Sequence, residues 1–405
     1  MTAMADQTTG GGFRLSMLLN DSRYRSLTIQ AIAFMLFISC VGWLLSNAIQ
    51  NLAAQGQTFS YRFLGQAAGY DINQRLIDYN SQMTHARAAF VGVLNTLLVA
   101  FLGCIAATIV GVFAGIMRLS SNWLVAKLMS VYVEVFRNIP VLIVILTIYA
   151  LMTEALPPPN AFRGEEPTAS MILWDSVAVT NRGVYVPRPV WGEGSLVLVL
   201  VFLASIAGAI WFGRWTRARL YATGELIPAG RWQLAILILP TLAAFFLLGR
   251  PVSLEYPELR GFNFVDGVHL RGPFLALWFA LSIYTGAFIA ENVRAGILSV
   301  SRGQSEAAFS LGLSPRRTMR LVILPQALRV IVPPLISHYL NLTKNTSLAI
   351  AVGYMDVTAT TRITLNQTGR AIEAILLLMA FYLAISLSIS AFMNWYNSKI
   401  KLKER

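Results

Sequence analysis

Side chains that could do covalent or acid–base chemistry are few in this chain, and their spacing serves none of the common reactions. The three histidines, His85, His269 and His338, include no HExxH pair to hold zinc. No GxSxG stretch presents a serine nucleophile, and no Gly-Lys pair exists for a P-loop to wrap phosphate. Cys40 and Cys104 fall inside apolar runs, as small buried hydrophobes do, rather than as a disulfide or metal pair. His338 likewise reads as a hydrogen-bonded core residue. No catalytic residue, metal site or cofactor is expected on this chain, and an enzyme reading has nothing to carry it.

Other polar groups stand out by position. A charge near the centre of a bilayer costs at least about 2.5 kcal/mol, so it needs a partner or water. Glu134 and Arg137 lie three residues apart, close enough to pair within the membrane and to brace a helix that Pro140 bends. Lys344, Asn345, Thr346 and Ser347 form a polar cluster in an apolar run. Their expected direction is the bundle interior, where they anchor helix to helix or define a path for a zwitterionic or anionic solute. Tyr284 and Thr285 in "YTGAF" combine hydrogen-bonding groups with a glycine that gives room, so they are candidates for lining that path. Asn95 and Thr96 read as interhelical hydrogen bonds, and Glu291 with Arg294 as a local pair.

These positions acquire meaning from the elements that carry them. Of 405 residues, 56% are hydrophobic and 13% charged, about half the charge usual in a soluble domain. Crossing about 30 Å of hydrocarbon takes roughly 20 apolar helical residues. About eight such runs exist: 26–48, 88–117, 124–151, 195–213, 232–248, 273–298, 327–353 and 371–395. The expected fold is all-α, a polytopic helical membrane protein. An even number of crossings puts both termini on one side. With the termini cytoplasmic, 19 of the 32 Lys and Arg residues fall inside and 11 outside, leaving Arg137 and Lys344 within spans. That bias accounts for the net charge of +13 without nucleic acid. The first run follows Arg14, Arg23 and Arg25 but starts late and lacks a cleavage pattern, so it reads as an uncleaved anchor. The outer stretches "LPPPNAFRGEEP" and "RPVSLEYPELRG" suit irregular surface connection.

Between the sixth and seventh runs lies "SEAAFSLGLSPRRTMRLVILP", basic and amphipathic. Ser301 and Gln304 have capping-box spacing, so a helix is expected through Glu306, Ala307, Ala308 and Phe309. Gly312 permits a left-handed end. Ser314 and Pro315 then cap and start a second short helix, with Arg316, Arg317 and Arg320 on its polar side and Pro325 near its end. Two physical readings stand: an interfacial helix on anionic lipid, or a rigid knob that enters a cleft on a partner.

This segment resembles the EAA loop of the membrane subunits of bacterial ATP-binding-cassette importers, whose pattern is Glu-Ala-Ala, a later Gly and a closing Ile-x-Leu-Pro. Here the matching residues are Glu306, Ala307, Ala308, Gly312, Leu324 and Pro325, with Val322 in place of isoleucine. "SIYTGAFIAENVRAGI", "LPQALRVIVPPL", "LTKNTSLAIAV", "GVLNTLLVA" and "YVEVFRNIPVLIVIL" are similar to the polar amino-acid permeases of the histidine and glutamine type. The layout resembles the larger permease subunits of general L-amino-acid or glutamate, glutamine, aspartate and asparagine importers.

The resemblance implies a type I permease core of five helices with added spans: a cytoplasmic tail 1–25, an extra span and outer loop 26–87, core segments 88–156 and 273–405, an insertion 157–272, and a coupling loop 301–325. It implies that Glu306, Ala307, Ala308, Gly312, Ser314, Pro315, Arg316 and Pro325 couple to an ATPase. The implied partners are a second, homologous permease subunit, two ATP-binding subunits holding ATP and Mg, and a periplasmic amino-acid-binding protein, in the lipid of a bacterial inner membrane. An ion-driven secondary carrier is the alternative, and it calls for more acidic residues within spans than Glu134. A membrane scaffold without transport is a further rival.

Overall fold

The computed structural model describes residues 22–54, 56, 59–164 and 166–400. The basic tails 1–21 and 401–405, read as cytoplasmic, lie outside the described residues. The chain divides into units 1–66 and 67–405. In the first unit a helix, α1 (Ser22–Ala54), is apolar on all sides and is followed by a 3-10 turn, Arg62–Gly65.

The second unit is built on a helical pair, α2 (His85–Met117) and α7 (Gly272–Leu298). Thr84 starts α2 by accepting a hydrogen bond from Arg87 N at 3.3 Å. Gly111 and Gly115 let α7 approach: an added Cβ would lie 2.5 Å from Ile289 Cβ at Gly111 and 2.7 Å from Ala290 O at Gly115. Small residues of this kind replace the hydrophobic drive that lipid cannot supply. Around the pair pack α4 (Val141–Ala155), α10 (Leu324–Asn345) and a 3-10 stretch, Thr346–Val352, with Leu277, Leu281, Ile289 and Leu342 in the core. Farther along, α11 (Val357–Thr368) and α12 (Ala371–Ile400) pack on each other and on α2 or α10.

Eight helical segments among the described residues are long and apolar enough to cross a membrane, as expected. The third differs from its expected form. Instead of one bent helix over 124–151, α3 (Trp123–Asn138) stops completely and α4 begins after Pro140. Ile139 is extended at ψ 135°. A residue before proline is pushed out of helical geometry, and proline itself donates no hydrogen bond, so the helix breaks rather than bends.

The proline-rich connections are also more ordered than expected. Strands β1 (Ala178–Thr180), β2 (Gly183–Val186) and β7 (Val268–Arg271) form an antiparallel sheet in the order β1-β2-β7. β3 (Arg188–Trp191) pairs with β4 (Val252–Glu255), and β5 (Glu258–Arg260) with β6 (Asn263–Val265). Tyr185 and Phe264 give this lobe its own small core. Between β3 and β4 run α5 (Ser195–Thr223) and α6 (Ala229–Leu247), an antiparallel hairpin packed chiefly on itself. The strands mark one end of the bundle; the loop after α7 marks the other.

Candidate functional site

At the end opposite the strands, α8 (Arg302–Ser310) leaves α7 and stops at Gly312, whose φ is +76°. Leu311 N donates to Ala307 O, Gly312 N to Phe309 O and Leu313 N to Ala308 O, so the reversal is held by backbone bonds. An added Cβ at Gly312 would meet nothing within 4 Å; the backbone angle alone selects glycine. A second helical arm starts at Pro315 with α9 (Pro315–Thr318). The result is an elbow, held closed by contact between α8 and the start of the second arm, with Ala308 and Thr318 buried.

Several expectations need correction. Ser301 stands at the N-cap of α8, but its hydroxyl caps nothing, and Gln304 accepts instead from Gln326 Nε2 at 3.3 Å. Ser314 makes no side-chain cap either. The second arm is not a separate short helix. It passes through a π turn, Met319–Ile323, directly into α10, with Leu324 N donating to Met319 O. Pro325 sits just past that turn, where the wider backbone spacing tolerates its missing donor. Glu306, Ala307, Gly312, Ser314, Pro315, Arg316 and Pro325 are exposed, while Ala308 is buried. Large apolar side chains are exposed there too, with Phe309 at 49% and Leu311 at 82% on the reversal itself and Met319, Leu321 and Leu324 on the second arm.

The intramembrane pair is different from the one expected. Arg137 Nη1 lies 3.4 Å from Glu291 Oε2, not on Glu134, which forms no ion pair among the described residues. Helical spacing suggested the local pair, but the break at Pro140 leaves α3 packed on α7, and the carboxylate of α7 wins. Arg118, just past α2, meets the same Oε2 at 2.5 Å, and Arg294 reaches Oε1 at 3.4 Å. One carboxylate thus joins three helices close to the elbow. Arg137 also lies over the Phe288 ring, 5.7 Å from its centroid. The candidate spans of the described residues hold Glu154, Glu291 and, in α12, Glu373, while Glu134 lies on α3 ahead of the third span. Glu373 is buried with Arg370 Nη1 3.5 Å away.

The proposed path residues differ in exposure. Thr285 and Thr346 are buried, Tyr284, Asn345 and Ser347 are half-buried, and Lys344 is exposed. Lys344 therefore does not point into the interior of this chain. The room expected beside Gly286 is taken by close packing, with Val110 Cγ1 at 3.0 Å and Tyr132 Oη at 3.1 Å from an added Cβ. Thr346 Oγ1 donates to Thr343 O at 2.8 Å, satisfying itself within the helix.

A second polar centre, near the strands, was only half legible. Asn95 Nδ2 donates to Gln74 O at 2.7 Å and Met355 O at 2.9 Å, and the Asn95 backbone oxygen accepts from Tyr354 Oη at 3.1 Å. Thr96 Oγ1 accepts from Val357 N at 3.1 Å and donates to Gly92 O at 3.0 Å. The expected interhelical roles of Asn95 and Thr96 are present; their partner, the connection around Asp356, was not foreseen. Asp356 is fully buried and caps α11 by accepting from Ala359 N at 2.8 Å. Burial pushes its carboxyl up to about 6, against the pull of backbone donors. Asp356 three residues before Ala359 at the head of a short helix was the signal available for it.

The family of binding-protein-dependent transport system inner membrane components matches residues 229–402. Over their whole lengths, this chain is 52% identical to the glutamate/glutamine/aspartate/asparagine transport system permease protein BztB of Rhodobacter capsulatus. It is 43% identical to the general L-amino acid transport system permease protein AapQ of Rhizobium johnstonii, over 98% of this chain and 97% of that one. A putative amino-acid ABC transporter permease protein of Escherichia coli, YhdX, is 44% identical over 96% of this chain and 98% of its own length.

Proposed function

The chain belongs to the inner membrane components of binding-protein-dependent transport systems, as the permease subunit of an amino-acid ABC importer, and from that premise we propose that the elbow at 301–325 is the lever through which a separate ATPase drives it. It is a membrane-embedded transport subunit, not an enzyme, and its family works with ATPase and binding-protein partners. The finer assembly is one similar second permease subunit, two ATPase subunits that hold ATP and Mg, and a periplasmic binding protein. The cytoplasmic side takes both termini and the elbow, in a bacterial inner membrane, and the strand lobe faces outward. The five-helix core is α2, α3 with α4, α7, α10 and α12; α1, the lobe and α5–α6 are additions.

One observation carries the coupling reading: Phe309 and Leu311 are exposed on a backbone-locked elbow, the form of an apolar knob for a cleft. Glu306, Ala307, Ser314, Pro315 and Arg316 surround it, and Ala308 and Pro325 set the two arms. ATP closing the ATPases would move this elbow as a rigid body and shift the bundle between two facings. Because α9, the π turn and α10 are continuous, such a push reaches Lys344 along one helical axis. An exposed lysine in lipid is costly, which supports a solute path, shared with the second permease subunit, running past Lys344, Asn345 and Ser347. Tyr284, Thr285 and Thr346 would back its wall.

The test is Gly312→Trp in the purified assembly. Insertion into membranes is expected to persist while ATP-driven uptake falls at least tenfold or the ATPase no longer copurifies. Wild-type uptake and copurification would refute the lever.

A further inference from the structure

We propose that the cavity between the β1–β2 hairpin and the strand end of the helical bundle is a binding site for a free α-amino acid, ahead of the translocation path. The inference rests on the proposed outward facing of the strand lobe. The cavity holds about 430 Å³, and its polar lining includes Gln74, Asn181, Arg182, His269 and Arg271. That is within the size range of small-molecule sites. No aspartate or glutamate lines it.

Its unpaired groups are sorted by chemistry. Arg271 takes part in no ion pair among the described residues, whereas Arg182 Nη1 is already held by Phe262 O at 3.3 Å. A guanidinium in that state is matched by a carboxylate, which it can grip with two parallel hydrogen bonds. Gln74 Oε1 and Asn181 Oδ1 are buried oxygens without a hydrogen-bond partner. Leaving each unmet costs about 1–3 kcal/mol, and an ammonium group supplies the missing donors. Two guanidiniums, one of them tied to a backbone carbonyl, and two orphaned acceptors, with no competing anion, suit the carboxylates and the ammonium of an acidic amino acid. His269 adds no third cation at neutral pH: burial lowers its pKa, the Arg182 carbonyl offsets part of that, and Arg271 lowers it again. A neighbouring cavity of about 460 Å³ shares Gln74, His269 and Arg271 and continues to Leu98, Phe274 and Trp278, which gives a side chain somewhere to go.

The frame is stiff. Gly183 has φ +133°, and an added Cβ would lie 2.2 Å from Leu270 O. Asn181 N donates to Pro157 O at 3.0 Å, and Gly272 N to Arg182 O at 3.1 Å, tying the hairpin tip to α7 and to the chain after α4. His269 stacks on Tyr185 with ring centroids 4.0 Å apart. Groups fixed in this way pay little ordering cost on binding.

The experiment uses the full permease–ATPase assembly in nanodiscs without binding protein, with radiolabelled L-glutamate as probe and glutarate, which lacks the ammonium, as competitor. Saturable binding is expected. Arg271→Gln should weaken it at least tenfold and Arg271→Lys less. Gln74→Leu should weaken L-glutamate severalfold and leave glutarate competition unchanged. Equal affinity in wild type and Arg271→Gln, or no binding to wild type, overturns the site. So does a result in which Arg271→Gln impairs only capture of the binding protein, since that makes the cavity a protein-docking surface. Wild-type assembly that takes up no amino acid even with binding protein would instead strike the importer reading itself.

Discussion

The polar centre near the strands and the elbow at the opposite end are both made of helix ends, yet they satisfy their polar groups in opposite ways. Near the strands, Asn95, Thr96 and Asp356 are fully buried, and they fasten the connection 354–357 to α2 through hydrogen bonds within this chain. At the elbow, Ser301 and Ser314 leave their caps unmade, and Phe309 and Leu311 are exposed. Backbone hydrogen bonds shape the reversal at Gly312, and a single bond between Gln304 and Gln326 links the two arms by side chains. A region whose buried side chains bond across elements fixes its own shape, even with Asn95 Oδ1 and Asp356 Oδ2 left unmatched. One that spends its backbone on shape and leaves Phe309 and Leu311 exposed carries apolar surface that this chain does not cover.

The contrast can be broken at the seam of α2 and α7, which serves both ends. Leucine at Gly111 would drive its Cβ to within 2.5 Å of Ile289 Cβ and 2.9 Å of Gly286 O, and backbone cannot retreat as a side-chain tip can. Gly111→Leu is expected to cost about 3 kcal/mol or more, read as lost thermal stability of the purified subunit in detergent. An unchanged melting point would mean that the seam is not closely packed. Next in size is Asp356. Below about pH 4 its carboxyl is neutral whether the chain is folded or not. Between there and its folded value of about 6 only the folded chain keeps the proton, so stability falls as pH rises through that window and stays lower above it. Two pKa units at about 1.4 kcal/mol each set the scale at up to about 3 kcal/mol. Asparagine can still cap α11, so Asp356→Asn should melt with a flatter profile from pH 4 to 7. Parallel profiles would show that burial of this carboxyl contributes nothing.

Much of this was legible in the sequence, and the failures share a cause. Apolar run lengths located seven of the eight crossings, because a bilayer sets a minimum length for every one, and placed the third too early by running it across the break at Pro140. The left-handed Gly312 was legible because local geometry demands glycine. Side-chain partnerships were not. Glu134 and Arg137 have helical pairing distance, but distance along one helix says nothing of Glu291 on another, and Glu291 lies more than 150 residues away in sequence. Ser301 and Gln304 have the spacing of a capping box, yet Gln326 competes for the glutamine from the second arm. The strands of the lobe escaped because each is only three or four residues long, too short for alternation to show. Lys344 was assigned to the interior on the premise that a single chain contains its own interior, and in this chain it is exposed.

The smallest effect tests how the bundle is tied together beside the elbow. Glu291 lies on α7 close to the elbow, and it holds Arg118, Arg137 and Arg294 together. The Arg118 side chain is only 9% exposed, so losing its carboxylate strands a nearly buried guanidinium. Breaking a fully buried pair costs about 3–5 kcal/mol, and the 29% exposure of Glu291 brings the expectation for Glu291→Leu to about 2 kcal/mol. Glu134→Leu is the matched control on α3, exposed and outside every ion pair among the described residues, with an expected change within about 0.5 kcal/mol. Thermal melts of the two variants side by side decide between the local pairing and the cross-helix one. Equal losses would return Arg137 to Glu134 and leave the elbow joined to the bundle by backbone alone.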